Sequence, residues 1–399
     1  MNFFSKAYCR VYQTIFKWVM PLMPYREPQI LDSVLDIAPV LLDKNINNVL
    51  LVTDNGILDL GLAKSLEKSL KENKIKFTVF SDIVPNPTTT NVENGVEVYN
   101  ANACQALIAF GGGSVMDCAK GIGARVSNPD KPINKMKGLL KVKNPIPLLF
   151  AIPTTAGTGS ETTVTAVITD ADSHHKYTIN DFKLIPTYAV LDESLTLKLP
   201  KGLTATTGMD ALTHAIEAFI GNSTTDYASK CALDAARLIF ENITKVYDDG
   251  SNERSRKHML KASYLAGCAF TRSYVGYVHA VAHTLGGQYG TPHGLANAVI
   301  LPYMLAEYGS TINKKLARMA VYCDIAKKYD SEEMAASKFI NKILELNDYM
   351  GIPKTFDFIK DEDISDMAKK ASAEANPLYP VPKLMDAKEL EKIYYKIKS

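Results

Sequence analysis

Residues 105–126 read QALIAFGGGSVMDCAKGIGARV, an apolar run, a glycine turn and a helical stretch in succession. QALIAF (105–110) is a short, almost wholly apolar run, as expected of a strand covered on both faces. It runs into Gly111-Gly112-Gly113-Ser114, and SVMDCAKGIGARV then continues with helical character. Glycines allow positive φ and let backbone N–H groups come close to a phosphate. A helix N-terminus adds partial positive charge and unpaired donors. The spacing is not G-x-G-x-x-G, because positions 114 to 116 are Ser, Val and Met. Taken alone, the turn suits a pyrophosphate or a plain strand–helix connection equally well.

The same alternation extends on either side. NVLLVTD (48–54) reads as a strand ending in Asp54, residues 60–74 as an amphipathic helix, and KFTVFSD (76–82) and IPLLFAIP (146–153) as further strands. Alternation over 46–200 predicts an α/β domain with a doubly wound, mostly parallel sheet. Ligands bind such sheets outside the carboxyl ends of the strands. Asp54, the GGGS turn, Thr154 and Thr155 all fall at those ends. A carboxylate at Asp54 would accept from a ribose 2′-hydroxyl and repel a 2′-phosphate, favouring NAD over NADP. It would serve equally well to open the turn at Asn55-Gly56.

After Pro200 the texture becomes helical. Thr207 is positioned to cap a helix over 208–220, with Gly221 just past its end. Further helices are expected near 226–246, 255–272, 277–286, 294–308, 313–329, 332–350 and 361–372. These patterns place residues 1–198 in a dinucleotide-binding domain and 199–399 in an all-helical, metal-binding domain. A helical extension over about 1–30 is grouped with the first domain. Within it, Phe4, Tyr8, Val11, Ile15, Trp18 and Val19 recur at helical spacing. That amphipathic helix would pack on the protein's own body, or meet a membrane surface or a partner. Lys6, Arg10 and Lys17 keep its apolar run below signal or transmembrane length.

The helical half carries the chemistry. Asp210 and His214 are four apart, as are His279 and His283, so each pair shares one helix face. His293 follows in a Pro-His-Gly turn. A carboxylate with three imidazoles is a ligand set for a divalent transition metal, and a set without cysteine points to a catalytic site with an open position. Spacing alone does not choose between His279 and His283. His174-His175 read as surface residues and His258 as solvated. Six scattered cysteines with no C-x-x-C fit a reducing, cytoplasmic setting, and a net charge of +2 over 399 residues leaves no basic footprint for nucleic acid.

GMDALTHAIEAF (208–219) and VHAVAHTLGGQYGTPHGLANAVILP (278–302) resemble the signatures of the iron-containing (group III) alcohol dehydrogenases, and the resemblance spans nearly the whole chain. It implies a dehydroquinate synthase-like architecture. It implies Asp210, His214, His279 and His293 as metal ligands, and His283 as a neighbour of the nicotinamide rather than a ligand. His283 would relay the proton released from the alcohol. Pro85-Asn86-Pro87-Thr88 and PTTAGTGSETT (153–163) match further family motifs. By that match Asn86, Gly112, Gly113 and Ser114 line the nicotinamide-ribose and phosphate end of the cofactor. Thr154, Thr155, Thr158 and Thr163 contact it, Lys176 lies near the ribose, Leu195 near the adenine, and Asp117 in the cleft.

Iron(II) is the ion the resemblance implies, and the donor set would also accept zinc, nickel or cobalt. The implied reaction moves a hydride between a small primary alcohol or aldehyde and the nicotinamide. The implied assembly is a homodimer or larger homo-oligomer. The chain departs from many relatives at Thr271-Arg272-Ser273-Tyr274-Val275, where they are rich in asparagine and glycine. Arg272 and Tyr274 would narrow a substrate pocket there, or Arg272 would make a structural ion pair. Two other functions stay open: a lyase similar to 3-dehydroquinate synthase, which also uses NAD and a metal, and a non-catalytic metal or nucleotide sensor.

Overall fold

The computed structural model describes every residue except Asn2, His174 and His175. The expectation for the His174-His175 pair therefore lies outside the described residues. The chain divides into two compact units, Pro24–Lys198 and Met1–Met23 together with Leu199–Ser399.

In the first unit, six parallel strands form one sheet in the order β1-β9-β6-β4-β2-β3. They are β1 (Gln29–Leu31), β2 (Asn48–Val52), β3 (Lys76–Phe80), β4 (Ala106–Gly111), β6 (Leu148–Pro153) and β9 (Tyr188–Val190). A smaller sheet holds β5 (Gly138–Leu139), β8 (Lys176–Asn180) and β7 (Thr165–Thr169), in which β7 and β8 run antiparallel. Side chains alternate across the large sheet. Leu50, Val52, Leu107 and Ala109 enter one apolar cluster, and Val49, Leu51, Ile108 and Phe110 enter another. Both faces are thus dry, which is why these strands read as continuous apolar runs. The unit's helices are α2 (Ile37–Asp43), α3 (Asn55–Asp59), α4 (Lys64–Glu72), α5 (Thr89–Ala101) and α6 (Gly113–Ser127). Buried side chains of α5 and α6 join the first cluster, and those of α2 and α4 the second, so the sheet is doubly wound as expected.

The second unit is helical. It contains α1 (Phe3–Val19), α7 (Lys201–Ile220), α8 (Asp226–Asp248), α9 (Glu253–Ser273), α10 (Tyr277–Tyr289), α11 (His293–Tyr308), α12 (Asn313–Tyr322), α13 (Glu332–Tyr349), α14 (Asp361–Ala375) and α15 (Ala387–Ile397). Three sequence expectations need correcting. α7 begins at Lys201, one residue after Pro200, and Thr207 sits inside it with its hydroxyl donating to the Leu203 carbonyl at 2.8 Å. α12 ends at Tyr322 rather than near 329. The N-terminal helix groups with the helical unit and not with the sheet, because Cys9, Gln13 and Met20 are buried and Arg10 and Gln13 bond to the backbone at Val381, Pro382 and Tyr379.

Candidate functional site

In the helical unit Asp210, His214, His279 and His293 come together, and their ligand atoms all lie within 4.8 Å of one another. α7 supplies Asp210 and His214 from one face. α10 supplies His279, and His293 is the first residue of α11. His293 Nε2 lies 3.5 Å from Asp210 Oδ1 and His279 Nε2 lies 3.9 Å from the same atom. The His214 ring stacks between Phe270 at 4.3 Å and His279 at 4.5 Å. Two glycines permit this approach. A Cβ on Gly294 would meet the Thr206 carbonyl oxygen at 2.5 Å, so only glycine lets α11 come this close to α7. A Cβ on Gly276 would meet Glu217 Oε1 at 2.6 Å.

Glu217 went unrecognised in the sequence. It lies three residues beyond His214 on the same helix and is fully buried. It accepts the backbone N–H groups of Gly276 and Val278 at 2.8 Å each, and its Oε2 lies 2.6 Å from His279 Nδ1. Burial pushes its carboxyl up to about 7, against the pull of those backbone donors. Burial, with the neighbouring imidazoles of His214, His293 and His283, holds His279 well below the ordinary histidine value, so its ring is neutral. With Nδ1 bound to Glu217, His279 turns Nε2 toward Asp210, and that buried atom has no hydrogen bond. A buried nitrogen lone pair among a carboxylate and two more imidazoles fits a cation. Asn297 was also missed. One turn beyond His293, it donates to Asp210 Oδ1 at 2.7 Å and lies 3.1 Å from His293 Nε2.

His283 stands beside the cluster. Its ring stacks 5.2 Å from that of His293, its Nδ1 lies 2.7 Å from Glu374 Oε1, and its side chain is 43% exposed. Burial alone would raise Glu374, but His283 and the Tyr379 hydroxyl bring it below the usual carboxylate value. Arg272 stacks over Tyr227 and donates to the Cys268 carbonyl, and Tyr274 packs on Phe16. His258, expected in solvent, is partly buried and lies 3.2 Å from Asn242 Oδ1.

In the sheet unit, the GGGS turn caps α6. Gly112 is the N-cap and none of its three glycines has positive φ. What glycine provides at position 113 is room, since a Cβ there would press on Thr158 Cγ2 at 3.1 Å. Asn86, Ser114 and Lys176 converge. Lys176 Nζ donates to Asn86 Oδ1 at 2.8 Å, and the Asn86 N–H points at Ser114 Oγ at 3.4 Å. Asp54 caps α3 by accepting the Ile57 N–H at 2.9 Å. Thr154 is buried at the end of β6, and Thr155 and Thr158 are partly exposed. Thr163 is turned inward, its hydroxyl 2.8 Å from Lys120 Nζ. Asp117 accepts from Ser160 and from the Val167 N–H, and Leu195 sits in the apolar core.

Lys120 gave no signal in the sequence beyond its helical position. Fully buried, it donates to the Ser160, Thr163 and Thr165 carbonyls and to the Ser160 and Thr163 hydroxyls, at 2.7 to 3.2 Å. It ties the threonine-rich loop to the helix that starts at the glycine turn. Both oxygens of the neighbouring Glu161 are buried without a hydrogen bond. Burial raises Glu161 to about 7 and Asp117 to about 6, and lowers Lys120 to about 8.

A doubly wound sheet and an imidazole–carboxylate cluster in one chain are the parts of a metal-using oxidoreductase. Residues 31–193 match the family described as iron-containing alcohol dehydrogenase, and residues 204–398 match that family's C-terminal region. The chain is 37% identical over 386 residues to the 1,3-propanediol dehydrogenase of Citrobacter freundii, covering 95% of this chain and 98% of that one. It is 37% identical over 324 residues to the NAD-dependent methanol dehydrogenase of Bacillus methanolicus, covering 81% and 85%. A crystal structure of a 1,3-propanediol oxidoreductase superposes with a TM-score of 0.90 at 34% identity, covering 94% of this chain and 99% of that one. The chain belongs to the iron-containing alcohol dehydrogenase family, and it is an enzyme that interconverts alcohols and aldehydes. These matches do not favour the lyase and sensor alternatives.

Proposed function

We propose that the protein is an iron(II)- and NAD-dependent dehydrogenase of small primary alcohols, with Asp210, His214, His279 and His293 as the ligands of the ion. The observation that carries this reading is His279 Nε2, a buried lone pair without a hydrogen bond, beside Asp210. Bound iron(II) would supply Lewis acidity toward the alcohol oxygen, and NAD the hydride acceptor. Zinc would satisfy the same donors. Glu217 holds the Nδ1 proton of His279 and so keeps Nε2 as the donor atom. His283, anchored through Nδ1 to Glu374 and partly exposed, accepts the alcohol proton at Nε2 and passes it to solvent.

For the cofactor, the reading assigns Asn86, Gly112, Gly113 and Ser114 to the nicotinamide-ribose and phosphate end, with Lys176 beside the ribose. Thr154, Thr155 and Thr158 complete the contacts, whereas Thr163 and Asp117 act through the loop they brace. Leu195 packs toward the adenine. Asp54 disfavours a 2′-phosphate, which selects NAD over NADP. No helix among the described residues is long and apolar enough to cross a membrane. A cytoplasmic homo-oligomer is the setting this reading expects. The test is anaerobic loading of apoprotein with iron(II), followed by primary alcohols with NAD or NADP. NAD reduction that requires both the metal and the alcohol supports the proposal; metal-independent turnover, or a preference for NADP, overturns the corresponding part.

A further inference from the structure

The sequence allowed the apolar side of the N-terminal helix to pack inward, and α1 does the reverse. Cys9, Gln13 and Met20 face the body, where Gln13 donates to the Tyr379 carbonyl at 2.7 Å and Arg10 to the Val381 and Pro382 carbonyls at 2.7 and 2.8 Å. The opposite side carries Phe4, Tyr8, Val11, Ile15 and Trp18, spaced alternately by four and three residues, and Leu22 continues the line in the turn that follows. All six are exposed, with Phe4 at 81%, Trp18 at 76% and Leu22 at 81%. A helix held to the body through Cys9, Arg10, Gln13 and Phe16, the last packed on Tyr274, therefore presents a continuous aromatic and aliphatic stripe outward. Isolated exposed apolar residues are ordinary on a protein surface, but a contiguous row of this kind marks an interaction face. The helix lies outside both stretches matched by the family, so the family's chemistry does not account for it.

Charge selects the occupant. No aspartate or glutamate occurs before Glu27, while Lys6 and Lys17 are exposed along the same helix. Lys17 also lies near Lys315 of α12 and, after burial, helps lower that lysine's pKa. The residues bordering the stripe, Ser5, Ala7, Tyr12, Thr14 and Val19, carry no charges of the kind that select a partner helix in a coiled coil. An outward aromatic and aliphatic stripe on a helix whose only charges, Lys6, Arg10 and Lys17, are cations is the composition of a helix lying in a membrane interface. We infer that α1 docks this enzyme on an anionic lipid surface, with Phe4, Tyr8, Val11, Ile15, Trp18 and Leu22 entering the headgroup region and Lys6 and Lys17 drawn to the lipid charge.

Trp18 is the chain's single tryptophan, so it reports on the stripe without a label. The full-length protein is titrated with vesicles of equal parts phosphatidylcholine and phosphatidylglycerol, and with pure phosphatidylcholine. Trp18 emission should shift to the blue with the anionic vesicles only, and the protein should sediment with them. The shift should collapse in salt at about 1 M, where the screening length is about 3 Å. Phe4→Ser/Ile15→Ser should abolish sedimentation while alcohol oxidation in solution is unchanged, which shows that the variant is folded. Lys6→Gln/Lys17→Gln should weaken binding by about fivefold for each lysine removed. An unchanged emission with anionic vesicles overturns the proposal. So does equal binding to neutral vesicles, and so does a blue shift without lipid that grows with protein concentration, which would assign the stripe to a second copy of the chain.

Discussion

Glu217 shows how much a single buried carboxylate can decide. It receives two backbone N–H groups from the start of α10 and binds Nδ1 of His279, so it fixes both the helix start and the orientation of one proposed ligand. Glu217→Gln keeps the shape but replaces one acceptor oxygen by a donor. Its metal dissociation constant should rise by roughly 10- to 100-fold, the usual cost of losing such a partner. Equilibrium dialysis against iron(II) or zinc measures this, and unaltered affinity would show that Glu217 serves the backbone alone. At this scale, much of the cluster was legible. Asp210 and His214 share a helix face by spacing, and no other histidines in the chain recur as His279, His283 and His293 do. Glu217 and Asn297 were not legible, because a glutamate or asparagine on an otherwise ordinary helix has many uses and only the folded partners distinguish them.

At the scale of elements, the cluster depends on how closely α11 approaches α7. Gly294→Ala would place a Cβ 2.5 Å from the Thr206 carbonyl oxygen, and backbone on both sides must then move. The variant should lose most alcohol oxidation and bind metal more weakly while keeping its helical content. Activity and circular dichroism together check this, and full activity would mean that the approach is not limiting. In the sheet unit the corresponding device is Lys120. Lys120→Met removes the donor of five contacts and leaves the buried carboxyl of Glu161 without its neighbouring cation, and should cost about 3–5 kcal/mol in stability. It should raise KM for NAD more than KM for the alcohol. Denaturant melts and steady-state kinetics read the two effects separately.

Strand legibility followed continuous burial as much as length, since β7 and β8 have five residues each but are only half buried and were missed. β2, β4 and β6 were visible because each is an apolar run of five or six residues. β1 and β9 have three residues each, too few to show a period. The start of α7 was misplaced because Thr207 looks like a cap, yet its hydroxyl bonds back one turn within the helix.

At the scale of the whole molecule, the buried charges of the sheet unit make stability depend on pH in a definite direction. Glu161 titrates near 4.5 when unfolded and is raised to about 7 when folded, so between those values the folded state retains a proton that the unfolded state has lost. Raising the pH across that window removes stability, about 3 kcal/mol for Glu161 alone. Asp117, raised from 3.8 to about 6, acts in the same sense. Lys120 acts oppositely. Lowered from 10.5 to about 8, it is neutral in the folded state and charged in the unfolded state between those values, so stability returns as the pH rises through them. Thermal unfolding should therefore be least favourable to the fold near pH 7–8. Glu161→Gln should flatten the acid side of the curve, and a variant that keeps the full slope would contradict this account of the buried cluster.

Hydride transfer at a cation held by Asp210, His214, His279 and His293 can be followed with a primary alcohol deuterated at its carbinol carbon. Iron(II)-loaded enzyme should produce NADH carrying that deuterium, and His279→Ala should lose both the bound metal and the transfer. Deuterium-free NADH, or undiminished transfer by a His279→Ala protein that still holds its metal, would contradict the account.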